Sequence, residues 1–294
     1  MALFLAILAG FYGFVLFLQE SVQGGERRIA RAGGGSVVGL LRIQGGIFGA
    51  RETLAALARF RRNPKVKSLL IRIESPGGAV SPTQEIYHEV LRFRRSGRKV
   101  VASLGTVAAS GGYYIAAAAD KIFANPGTIT GSIGVIMMLP NAEKALGKLG
   151  LKFSVIKSAP HKDLASPWRS LTEKDREILQ RLVDDTYGQF VRAVAKGRNL
   201  PEKKVLLLAD GSVFSGERAK TLGLVDELGS LRDAALEAAR LAGIEGEPKL
   251  LELTPKTGLL RWLGRQVRAS LGWLGGGGTS LWGDAPAVLQ YMWK

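Results

Sequence analysis

The 294-residue chain has no cysteine and only two histidines, His88 and His161. The first absence excludes disulfide bridges, thiolate catalysis and cysteine-ligated metal sites. The second leaves too few imidazoles for a multi-histidine metal centre and limits any Ser-His-Asp scheme to one of two residues. Acidic residues are also in short supply, 25 against 41 Lys plus Arg, for a formal charge of +16. Taken alone, that excess points to nucleic acid or an anionic membrane surface. No helix-turn-helix, zinc-ligand or aromatic RNA-platform pattern accompanies it, so no nucleic-acid partner is expected. With 46% hydrophobic and 22% charged residues, extended disorder is excluded. The length suits one large domain or two small ones.

What is present begins with an uncharged run, Ala2 to Leu18. Its length, at about 1.5 Å per residue, spans roughly 25 Å, near the short limit for a membrane-crossing helix. It lacks the basic start and small-x-small exit of a cleavable signal, so residues 1–19 are expected to be an uncleaved transmembrane anchor. Residues 20–35, Gly- and Arg-rich from Gly24 to Gly35, read as a linker. Arg27, Arg28 and Arg31 would by the positive-inside rule place the main domain in the cytoplasm.

Residues 36–254 alternate strand and helix patterns, which argues an α/β fold with a largely parallel sheet. Strands are expected at Val37–Ile43, Val66–Glu74, Lys99–Leu104 and Lys121–Phe123. Helices are expected at Ala50–Arg61, Pro82–Arg95 and, in small residues, Ala108–Ala119. Thr172, followed by Glu173 and Asp175, has the form of a helix N-cap opening an α-rich stretch that runs to Ala242. Residues 255–294 form a basic tail with four tryptophans and the run Gly275–Gly278. That tail suits a short amphipathic helix, membrane contact or occupation of a groove.

Two segments combine small residues with a polar group. Ser75-Pro76-Gly77-Gly78 reads as a turn closing a strand, and its glycines can direct N–H groups outward as an oxyanion hole requires. In Ala108-Ala109-Ser110-Gly111-Gly112-Tyr113-Tyr114, Ser110 stands at a helix start with almost no side chain around it. A nucleophile needs that openness, although a serine there serves equally as a helix cap. A serine hydroxyl needs a base. His161 and Lys162 are the candidates, and a lysine qualifies only if its pKa falls well below its reference value of about 10.4.

Together these motifs resemble the bacterial signal peptide peptidases of the protease IV (SppA) family in its short, single-repeat form. The resemblance runs from about Val37 to Leu253. It includes Gly131-Ser132-Ile133-Gly134-Val135, Ile156-Lys157-Ser158, Lys162-Asp163 and Asp210-Gly211-Ser212-Val213-Phe214-Ser215-Gly216. It implies Ser110 as nucleophile, Lys162 as general base, Ser132 as the residue orienting that lysine, and Gly77 with Gly111 as oxyanion donors. His161 becomes a bystander. The implied fold is the ClpP/crotonase type built of repeated ββα units. The implied activity is cleavage of signal-peptide remnants and other hydrophobic peptides at the cell membrane, with no metal or organic cofactor. The resemblance further implies a homo-octamer in which the lysine reaches a neighbour's serine, and a single-pass protein whose catalytic domain lies outside the cytoplasm, against the arginine count.

Small and aliphatic residues over Gly105–Ala119 and Thr128–Met138 suit shallow apolar pockets. The tail is expected to lie in a neighbour's groove and be trimmed there. Rival readings are a stomatin-associated membrane protease of the same clan, a crotonase-type acyl-CoA enzyme and an inactive scaffold. Placed along the chain, part of the basic excess flanks the uncharged run: Glu20 to Arg62 holds eight arginines against three glutamates. That placement makes an anionic membrane the better partner than nucleic acid.

Overall fold

The computed structural model describes residues 35–253 and 290–292. The expected anchor and nearly all of the linker and tail lie outside these residues. No helix among the described residues is long and apolar enough to cross a membrane.

The order is β1 (Val37–Gln44), α1 (Arg51–Arg62), β2 (Val66–Ser75), β3 (Gly77–Ala79), α2 (Val80–Arg95), β4 (Lys99–Ala109), α3 (Gly111–Ala116), β5 (Lys121–Ala124) and β6 (Ile129–Gly131). Then come α4 (Glu143–Lys148), α5 (Glu173–Arg198), α6 (Glu202–Leu206), β7 (Val213–Ser215), α7 (Gly216–Leu222), β8 (Glu227–Leu228), α8 (Leu231–Arg240), β9 (Leu250–Glu252) and β10 (Gln290–Met292). The main sheet runs β7-β6-β4-β2-β1-β9, with β5 also on β4 and β8 on β5. Its pairings are parallel except β6 with β7.

The central strands carry short apolar runs, Leu69–Ile71 in β2 and Val100–Ala102 in β4, because both faces of the sheet are covered. Leu69, Ile71 and Ile73 of β2 pack with Val100, Ala102 and Leu104 of β4 into the larger core, under α1, α2, α3 and α5. Leu70 and Val101 face the other way, onto Ala234, Ala235, Ala238 and Ala239 of α8. The alanine face lets that helix approach closely enough for the Ser68 hydroxyl to donate to the Ala238 carbonyl at 2.7 Å. Burying an Ile or Leu side chain in these layers contributes about 1.5–3 kcal/mol.

Helix α2 opens with Pro82 in its first turn, where a missing N–H costs nothing. It buries Thr83, Ile86, Tyr87, Val90 and Phe93 along one stripe. Thr172 caps α5 as expected, reciprocally with Asp175.

Two expectations are corrected. Ala108 and Ala109 belong to β4, not to a helix, and the helical turn spans only Gly111–Ala116. Alanine favours helix intrinsically, but here sheet pairing to Ser75 and Gly131 decides. Gly77-Gly78, read as a turn, is strand β3, held beside Ile47. With β2 and α2 it makes one ββα unit.

Candidate active site

Three strand ends converge at one edge of the sheet. Ser75 of β2 pairs with Ala108 of β4, and Ala109 pairs with Gly131 of β6. Two residues beyond Ser75 is Gly77, two beyond Ala108 is Ser110, and one beyond Gly131 is Ser132. Register therefore delivers three of the expected site residues to the same place.

The connection that aims Ser110 is irregular. Between Ile73 and Ser75 the register with β4 shifts, so Gly105, Thr106 and Val107 bulge against Glu74. The Glu74 carboxylate accepts from the Thr106 N–H at 3.0 Å and from Arg72 at 2.6 Å. A Cβ on Gly105 would overlap that carboxylate. Past the bulge, Ser110 takes φ 52° and ψ −117°, a conformation non-glycine residues adopt only where their surroundings impose it. Its N–H donates to the Gly131 carbonyl at 2.8 Å and its carbonyl accepts from Tyr114. Its side chain is 1% exposed, does not cap the helix, and its Oγ has no hydrogen-bond partner among the described residues. A buried hydroxyl left unpaired costs free energy, which structures tolerate where chemistry uses the group.

Ser132 also has positive φ, 49°, and is buried. Its N–H donates to the Ser212 carbonyl at 2.8 Å, and β7 runs antiparallel beside β6. The Asp210-Gly211-Ser212 turn thus supports Ser132 from outside the sheet, with Asp210 accepting from the Ser212 N–H at 2.9 Å. Sequence reasoning did not assign the support roles of Glu74 and Asp210. A carboxylate next to the Ser-Pro-Gly-Gly segment was the only available signal for the first.

Gly77 lies in β3 with φ 105°. Its N–H donates to Ser75 Oγ at 3.1 Å, while that hydroxyl donates to the Gly45 carbonyl at 2.6 Å. The Gly77 donor is thus held by a weak local bond that a stronger acceptor can displace. Gly111 opens α3, so its N–H has no intrahelical acceptor. Gly112 sits where a Cβ would come within 2.8 Å of the Ser75 carbonyl, so glycine is what lets α3 approach β2. The two tyrosines of the motif are anchors. Tyr113 donates to the Leu224 carbonyl at 2.8 Å, and Tyr114 packs on Tyr87 and Phe190. Burial pushes both phenols up, Tyr114 to about 12, and keeps them neutral.

Lys162 is not joined to these groups within the chain. It is exposed, in a turn where its N–H donates to the Ala159 carbonyl. Around it runs an ionic brace. Asp163 accepts from Lys157 at 2.7 Å and Arg169 at 2.9 Å, and Arg169 continues to Asp175 at 2.5 Å. His161 faces Asp175 at 3.6 Å, not Ser110. Arg169 holds both carboxyls well below the usual carboxylate range. Depressed values mean that the brace is present above that range and is lost as pH falls through the folded-state values. Arg169→Ala is expected to lower peptidase kcat by tenfold or more by misplacing Lys162, with KM nearly unchanged. Steady-state kinetics on a peptidyl reporter check this, and an unaltered kcat would sever the brace from catalysis.

On the far side of Gly77, β10 pairs antiparallel with β3, Tyr291 opposite Gly78 and Met292 opposite Gly77. This part of the tail lies along the chain's own β3. Strand β3 therefore accepts an added strand, the way many sites hold extended peptides through backbone hydrogen bonds.

The sequence profile of Peptidase family S49 matches residues 92–245, from the end of α2 to past α8. A Synechocystis sp. protein assigned as a protease is 49% identical over 70% of this chain and 73% of its own. A protein of Enterococcus faecium assigned as signal peptide peptidase SppA is 37% identical over 75% of this chain and 64% of its own. Protease 4 of Salmonella typhi is 34% identical over 71% of this chain but only 35% of its own length. A buried serine without a hydrogen-bond partner among the described residues, at a strained strand end near a strand that pairs with the chain's own residues 290–292, fits what these relatives are named for, and the chain belongs to peptidase family S49 as a serine peptidase.

Proposed function

We propose that the chain is a membrane-anchored endopeptidase that cleaves signal-peptide remnants and other hydrophobic peptides with a Ser110–Lys162 dyad. The observation that carries this is Ser110 Oγ, buried and without a partner among the described residues, at the same end of the sheet as β3, along which an extended segment already lies. Neutral Lys162 accepts the Ser110 proton as Oγ attacks the scissile carbonyl. The N–H groups of Gly77 and Gly111 receive the oxyanion, and Ser132 orients the lysine amine. The ammonium protonates the departing amine, and water hydrolyses the acyl-enzyme. The scheme calls for no metal or organic cofactor.

The lysine comes from a neighbouring copy in a homo-oligomer, an octamer by the resemblance. Supporting this, the segment before Lys162 exposes Leu149, Leu151, Phe153, Val155 and Ile156. That much apolar surface on one stretch marks a contact with another protein surface. The domain sits outside the cytoplasm on a single-pass anchor at residues 1–19.

Intact-mass spectrometry after treatment with a fluorophosphonate tests the reading. Wild type gains one adduct, Ser110→Ala gains none, and His161→Ala labels like wild type. Loss of labelling in His161→Ala would replace the dyad with a Ser-His scheme. Untreated wild type is also expected to lack C-terminal residues that Ser110→Ala retains; equal masses would remove self-trimming.

A further inference from the structure

The edge opposite the active site is strongly basic. Here strands begin and the preceding helices end: α1 runs into β2 through residues 63–65, and α2 into β4 through residues 96–98. Between the end of α2, the start of β4 and the last turns of α5 is a cleft of about 320 Å³. Its charged lining is Arg94, Arg95, Arg98, Lys99 and Lys196 against one carboxylate, Asp120.

The cations are not balanced locally. Asp120 is shared by Arg94 at 2.9 Å and Lys99 at 3.7 Å. Arg98 is committed to the fold. It donates to the Arg61 carbonyl at 2.7 Å, stacks over Phe93 at 4.4 Å, and is lowered by burial and by Arg61. Arg95 and Lys196 are both exposed, and neither pairs with a carboxylate among the described residues. Arg62, Lys65 and Lys67, all exposed, extend the surface along the same edge. Cations in the last turns of helices complement the helix dipole, which accounts for some of them. Lys65, Lys67 and Lys99 stand outside the helices, so the dipole does not account for those.

The chain also enters the domain at this edge. Val37 begins β1 opposite Val66, and the uncharged run Ala2–Leu18 lies upstream of it. We propose that this basic edge docks on an anionic bilayer surface, its cleft taking a phosphate-bearing lipid headgroup. Ser110, eleven residues along β4 from Lys99 and thus roughly 30 Å away, then faces away from the lipid. The proposal extends the anchoring reading, and the two fail separately.

The absence of native cysteine gives the test a clean label. The full chain, carrying Pro64→Cys at the basic edge or Gly49→Cys at the active-site edge, takes an environment-sensitive fluorophore. It is placed in nanodiscs with or without phosphatidylglycerol, the lipids bearing a headgroup quencher. Quenching is expected at position 64 only, only with phosphatidylglycerol, and relieved by about 0.5 M salt, which shortens the screening length several-fold from that of dilute buffer. Arg62→Gln, Arg95→Gln and Lys196→Gln combined should lower the docked-to-free ratio roughly a hundredfold, at about fivefold per basic residue near the surface. Unchanged peptidase turnover in that variant reports an intact fold. Equal quenching with and without phosphatidylglycerol, or quenching at position 49 in place of 64, overturns docking. Tighter binding of duplex DNA than of phosphatidylglycerol vesicles at the same salt overturns the lipid assignment. A chain that enters neither disc overturns anchoring only. The labelled chain mixed with phosphatidylglycerol vesicles then reads docking by the same criteria.

Discussion

Ser110→Ala and Lys162→Ala are each expected to lose at least about 10⁴-fold in kcat on a hydrophobic peptidyl reporter, since removing one member of a concerted pair costs nearly as much as removing both. Co-expressed, the two variants are expected to recover activity. In a ring of like contacts, a Lys162→Ala chain keeps its nucleophile and a Ser110→Ala neighbour offers its lysine, so about a quarter of randomly mixed sites are whole. The rationale is geometric. Ser110 Oγ is buried without a partner among the described residues, and Lys162 is exposed on a braced turn of the same chain without reaching it. Assay of the co-expressed pair, against each variant alone, checks this. A mixture as silent as its parents would place both groups in one chain.

Gly78→Ala is expected to have the next largest effect. A Cβ there would overlap the Ile47 carbonyl oxygen and come within 2.5 Å of its nitrogen, both backbone atoms that cannot swing aside. Ile47 is bonded on both sides of this residue, its N–H donating to the Gly77 carbonyl and its carbonyl accepting from the Ala79 N–H, at 2.9 and 2.7 Å. Strand β3 must therefore shift, and with it the Gly77 N–H and the edge that pairs with residues 290–292. Overpacking of this kind costs about 1–3 kcal/mol, which lowers Tm by roughly 2–4 °C per kcal/mol in a domain of this size. We expect that drop together with a fall of at least tenfold in kcat/KM. Calorimetry and kinetics on one preparation check both, and wild-type kcat/KM with lowered Tm would separate β3 from substrate binding.

The alternating architecture was legible because β1, β2 and β4 carry apolar runs bounded by glycine, proline and charge, and Thr172 with Asp175 is a local signal that needs no tertiary help. The segment that holds the buried Ser110, the glycines around it and the family were legible as motifs. What stayed hidden depends on pairing between distant segments. Ala108 and Ala109 look helical until β6 is beside them. Gly77-Gly78 looks like a turn until Ile47 flanks it. The left-handed backbone of Ser132 is maintained by the Ser212 carbonyl, eighty residues away in sequence. The Arg169 brace joins residues on both sides of a loop that, read alone, is only polar.

The pairing of β10 with β3 has a consequence for how any substrate competes. A segment joined covalently to its own site is present there at an effective concentration fixed by the joining chain, in the mM range for short flexible connections and lower for longer ones. Diluting the protein does not weaken it, and added peptide displaces it only by exceeding that local value. Shortening the chain end removes the competitor permanently. The occupancy of β3 then records whether a given molecule still has its end, a property of its history and not of its surroundings.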